Sequence, residues 1–132
     1  MATLEADILP RDETLDEELA REDDVHMTNL FEEDTGVPGV IFVSTTMASH
    51  GPRVKYYVRA GRNQPSFSVV LTDPPRVVAN SLSTRELNRA SPAVLAWTAL
   101  NREALLRYWF EGDKLSRREA NAFFEGLQKL TP

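Results

Sequence analysis

Arg53, Lys55, Tyr57 and Arg59 recur at every second position, and Arg62 follows shortly after. In an extended strand successive side chains alternate between faces, so these four share one face while Val54, Tyr56 and Val58 share the other. Contact with a phosphate backbone needs positive charge in a row, and an aromatic ring among the charges gives a base a surface to stack on. The ordinary alternative is the solvated face of an antiparallel strand, where Lys and Arg also protect a sheet edge from further pairing.

Two other constellations have the residue types for chemistry. His50 sits in a turn, Ser49-His50-Gly51-Pro52, just before the basic strand. With Arg53, Lys55 and Tyr57 it would make a ribonuclease-like site, His50 acting as general acid or base and the cations holding phosphate charge. A lone loop histidine is usually only solvated, and no carboxylate is fixed by the sequence to orient this one. Thr98, Asn101 and Arg102 project among apolar neighbours of a helical segment, where polar groups need partners. Either they satisfy backbone groups in the core, or they converge with Trp109 on the floor of a cleft.

The elements that position these residues follow from pattern and punctuation. Val40 to Val43 is apolar on both faces and reads as a buried strand, Arg53 to Arg59 and Ser66 to Leu71 alternate, and Arg76 to Ala79 is a short fourth strand. Turns at Gly36–Gly39, Ser49–Pro52, Gly61–Pro65 and Asp73–Pro75 make an antiparallel meander the economical reading. Ser83-Thr84-Arg85-Glu86 is a capping box for a short helix ending near Arg89. Ser91-Pro92 then opens a longer helix to about Phe110, and Ser116-Arg117-Arg118-Glu119 caps an amphipathic helix at the C-terminus. The expected fold is α+β, with an antiparallel sheet of three to four strands followed by two to three C-terminal helices.

The stretch Pro65-Ser66-Phe67-Ser68-Val69, then Val77-Val78, Leu82, Leu87 and the run from Trp97 through Asn101, Leu105 and Leu106 to Trp109, covers about a third of the 132 residues. It resembles a small bacterial domain-of-unknown-function family found beside genes of toxin–antitoxin type. That family writes its strand His-Phe-His-Val and its helix W-x-x-x-N-x-x-x-L-L-x-x-W. The resemblance implies a sheet packed on helices and names no catalytic residue. Both family histidines are serine here, Ser66 and Ser68, so no metal or acid-base role carries over.

Charge divides the chain. Residues 1–34 hold 13 acidic and two basic residues, net −11, and residues 35–132 hold seven acidic and 13 basic, net +6, which together make the −5 of the whole. The expected organisation is an acidic, partly disordered arm over 1–34 and a single globular domain over 35–132. Met27 is an alternative start. Without Cys there is no disulfide, thiolate nucleophile or Cys-ligated metal. The acidic runs lack the pattern of a calcium loop, and His26 has no second histidine near it, so neither metal nor cofactor is expected.

No apolar run is long enough to span a bilayer, and the N-terminus is acidic where a secretory signal is basic, so a cytoplasmic protein is expected. The leading functional class is a non-enzymatic binding or regulatory module with a protein or nucleic-acid partner, and the alternative is a small ribonuclease built on His50. Self-association through Phe123, Phe124 and Leu127 is a third expectation. If the arm folds back over the basic strand face, deleting residues 1–26 raises nucleic-acid affinity; unchanged or lower affinity in a binding titration removes the arm as a mask.

Overall fold

Alternation of inward apolar and outward polar residues writes the strand Arg53–Tyr57, whereas Val40–Val43 is apolar on both faces. The computed structural model describes residues 27–46, 51–61 and 63–131. Five strands, β1 (Thr28–Leu30), β2 (Val40–Val43), β3 (Arg53–Tyr57), β4 (Ser66–Val70) and β5 (Arg76–Val78), pair antiparallel in sequence order. The register aligns Leu30 with Ile41, Ile41 with Tyr56, and Tyr56 with Phe67. The same face carries Val43, Val54 and Val69, all buried in the core. The rings of Tyr56 and Phe67 lie 5.0 Å apart across the strands, a pairing that adds to the burial of each.

The sheet has five strands where three to four are expected, and the fold begins before the boundary expected at residue 34. β1 and the single-turn helix α1 (Glu32–Thr35) both come from the acidic segment. Three residues with one buried side chain, Leu30, are too short to show a period of two, so β1 exists through its pairing with β2. The rest of the expected arm, residues 1–26, lies outside the described residues. α1 ends at Gly36, whose φ of 78° is left-handed and whose α-hydrogen faces the Leu130 backbone, so a side chain fits neither the angle nor the space. There the Leu130 N–H donates to the Thr35 carbonyl at 2.7 Å, closing the C-terminal tail on the start of the fold.

The helical layer is α2 (Thr84–Leu100), α3 (Arg102–Glu111), a 3₁₀ turn at Gly112–Lys114, and α4 (Arg117–Gly126). The capping boxes at Ser83 and Ser116 are both formed, each serine accepting from the glutamate N–H three residues on. Pro92, however, lies inside α2 and opens no new helix. Proline removes the bond to the carbonyl four residues back, that of Asn88, and both residues are exposed, so water can meet that carbonyl. The break falls instead at Asn101, dividing the helix expected to run unbroken to Phe110. Val94, Trp97, Leu105 and Tyr108 enter the core beneath the sheet. Phe123 stacks on Tyr108 at 4.3 Å and Phe124 meets the same ring at 5.2 Å, so α4 uses its aromatic residues within the chain.

Asn101 holds the break. Its amide nitrogen donates to the carbonyls of Trp97 and Gln128, both at 3.0 Å, and its oxygen accepts from the Gln128 N–H at 2.8 Å. Asn101→Ala is expected to cost about 2–3 kcal/mol in urea denaturation, because buried backbone groups lose their partners. Asn101→Asp should cost at least as much, since it turns a carboxylate toward two carbonyl oxygens.

Tyr56 donates its hydroxyl to the Pro38 carbonyl at 2.8 Å, and burial raises its pKa above the usual 10.0. A raised pKa favours the protonated native state, so this contribution is whole below pH 10 and is lost as pH rises through the folded value. Denaturation followed from pH 9 upward should show a steeper fall for the native chain than for Tyr56→Phe.

Candidate functional site

β3 is the middle strand, hydrogen-bonded on both sides to β2 and β4. Its Lys and Arg therefore do not protect an edge. Val54 and Tyr56 point into the core, which leaves Arg53, Lys55 and Tyr57 half-buried on the opposite face.

The strand register extends that face across the sheet in three rows. Asn29, Phe42, Lys55, Ser68 and Val78 form the middle row, Arg53, Val70 and Arg76 one flank, and Val40, Tyr57 and Ser66 the other. None of these side chains joins the core cluster, which takes the helices on the other face. Three cations, Arg53, Lys55 and Arg76, and two aromatic rings, Phe42 and Tyr57, share the surface, and no Asp or Glu occupies any of its strand positions. The Lys55 ammonium lies 5.6 Å from the centre of the Tyr57 ring, within cation–π range. Arg53 is steadied by its Nε, which donates to the Gly51 carbonyl at 3.4 Å.

Of the five residues expected to bind an anion, three share this face. β3 ends at Tyr57, so Arg59 stands beyond it in a bend, exposed, with its guanidinium donating to Gln64 Oε1 at 3.4 Å. Strand geometry fails there because Gly61, with φ 130°, and Asn63, with φ 63°, turn the chain back toward β4. Arg62 and His50 lie outside the described residues.

Phe42 and Arg76 are the members that sequence reasoning passes over. β2 reads as apolar throughout, which hides that Phe42 alternates away from Ile41 and Val43. Arg76 opens a strand of only three residues. Its alternation with Val78, directly after the Asp73-Pro74-Pro75 break, was the available signal.

The second expected cluster separates. Thr98 and Trp109 are buried, and the Thr98 hydroxyl donates to the Val94 carbonyl at 2.7 Å. The Trp109 carbonyl accepts from both the N–H and the hydroxyl of Thr46, at 2.8 and 2.7 Å. Asn101 and Arg102 line a shallow groove with Asp73, Arg107 and Gln128. Arg102 Nε donates to the carbonyls of Leu71 and Thr72, at 3.0 and 2.9 Å, which pins the exit of β4 to the start of α3. These polar groups are engaged in holding the fold. The Trp97 indole N–H is the one buried side-chain polar atom without a partner among the described residues.

Among the described residues no group of three or more His, Asp or Glu side chains is placed to hold a metal ion, and no helix is long and apolar enough to cross a membrane. Comparison of the chain with protein-family models, with curated proteins and with solved structures finds no match in any of the three.

Proposed function

We propose that this protein is a non-enzymatic binding or regulatory module that captures an acidic partner on the sheet face opposite the described helices. The observation that carries this reading is the composition of that face: Arg53, Lys55 and Arg76 with no carboxylate on any strand position. Among the described residues no Asp or Glu pairs with these three cations. A ligand that supplies anions gains Coulomb energy there without breaking an ion pair among the described residues. The resemblance over residues 65–109 points, within this class, to a bacterial regulatory pair of toxin–antitoxin type working in the cytoplasm.

A chain of net charge −5 has no bulk attraction to a polyanion, so retention on immobilised heparin requires a local basic surface. The full chain is expected to be retained at low salt and to elute as salt rises. The combined substitution Arg53→Ser, Lys55→Ser and Arg76→Ser should abolish retention while leaving the thermal unfolding transition in place. Equal retention of the substituted chain moves the binding surface elsewhere.

A further inference from the structure

We infer that the sheet face bearing Arg53, Lys55 and Arg76 is occupied by the chain's own acidic N-terminal segment, residues 1–26, which an external acidic partner has to displace. This rests on the reading above and deepens it, because it names what regulates access to that surface.

Exposure is the first observation. Of the eleven strand positions on this face only Arg76 is exposed. Val40 and Ser68 expose only 4% and 5%, and Arg53, Lys55 and Tyr57 are half-buried. Long cationic side chains on an open sheet face reach into water, and the described helices lie on the other face, with the core. The Tyr57 ring has the Lys55 ammonium 5.6 Å from its centre and a further partner besides. A face this closed has a cover, and the cover must offer anions to three cations and apolar groups to Val40, Phe42 and Val78.

Residues 1–26 have that chemistry and that reach. Ten Asp and Glu stand against Arg11 and Arg21, net −8, interspersed with Leu4, Ile8, Leu15 and Leu19. The segment joins the fold at Met27, directly before β1 at the edge of the sheet. From there β3 is two strand spacings away, about 10 Å, and β5 is four, about 19 Å. A flexible chain of this length has an r.m.s. span of about 25–30 Å, enough to cross the face. Tethering over a matching distance gives the segment an effective concentration on the order of millimolar, so individually weak ion pairs suffice to hold it. A nucleic-acid strand would meet the cations but set sugar and phosphate against Val40, Phe42 and Val78. A second copy's segment offers the same chemistry without the tether.

The chain has three lysines, Lys55, Lys114 and Lys129, and only Lys55 belongs to this face. The full chain is treated at low salt with a carbodiimide, which condenses a lysine amine with a carboxylate in contact with it, and the linked peptides are mapped by mass spectrometry. Lys55 should be joined to a carboxylate of residues 5–24 within monomeric protein, and the link should be lost at about 1 M salt, where screening shortens to about 3 Å. On heparin, Asp16→Asn, Glu17→Gln and Glu18→Gln together should shift elution to higher salt. Glu111→Gln, Asp113→Asn and Glu125→Gln, exposed in the helical layer and equal in net charge change, should leave it in place. Lys55 unlinked to the segment at low salt overturns the inference, as does a link found only in dimeric protein, which assigns the cover to a second copy. An equal shift with both sets of substitutions also overturns it, because bulk charge then explains elution. In each of these cases, retention of the native chain leaves the acidic-partner reading standing. A Lys55 link into the segment, with neither the native nor the Asp16, Glu17 and Glu18 variant retained on heparin, overturns that reading and the displacement and leaves the segment as part of the fold.

Discussion

Among the described residues the strands join as neighbours in sequence order and the three long helices follow them, so those helices cover one face of the sheet. That constraint decides the rest. A meander followed by helices produces two layers, one core between them, and a second sheet face that must be stable against solvent or a partner. The core face accepts this with Ile41, Val43, Val54, Tyr56, Phe67 and Val69. The opposite face mixes aliphatic, aromatic and cationic side chains, and even there Val40 and Ser68 are closely packed, at 4% and 5% exposure. Neighbours such as Phe42 and Lys55 spread their long side chains over a surface that no described helix reaches.

For such a face to act as a platform, the layer beneath it has to be fixed. Several polar contacts do this at the rim of the core, where strands hand over to helices. Asn101 binds the α2–α3 break to the tail at Gln128, Arg102 binds the start of α3 to the carbonyls that leave β4, and Thr46 binds the exit of β2 to the end of α3. Each joins segments at least 27 residues apart in sequence. The polar residues that stood out among apolar helix neighbours therefore serve the scaffold. Side chains on a central strand over such a layer keep their positions better than side chains on loops.

How far the fold was legible follows the length of each signal. β3 and β4 alternate over five residues and are read to within two residues of their ends, and the capping boxes at Ser83 and Ser116 announce their helices because the side-chain donors and acceptors are local. β1 carries no local signal, since its three residues become a strand only when β2 lies beside them. Pro92 misleads in the opposite sense. A proline after serine resembles a helix start, but an exposed interior site lets the helix run through it, and the real break is set by the tertiary bonds of Asn101. The candidate site divides the same way. Arg53, Lys55 and Tyr57 share a face by local alternation, whereas Phe42 and Arg76 join them only through pairing between strands.

Central placement also changes what the cations mean energetically. On an edge strand, Lys and Arg raise the cost of unwanted pairing and are explained by the fold itself. On β3 they sit between two paired neighbours, with Arg53 and Lys55 about 7 Å apart on one face. In water that repulsion is only about 0.6 kcal/mol, so the fold bears it easily but gains nothing from it. Fixed charges pay such a small penalty whether or not a ligand arrives, yet the attraction they offer an incoming anion is summed over all three. Screening over about 8–10 Å makes that attraction local, so the acidity of the chain as a whole does not cancel it. The sign that matters to a partner is the sign of the face, and on the strand positions of this face it is uniformly positive.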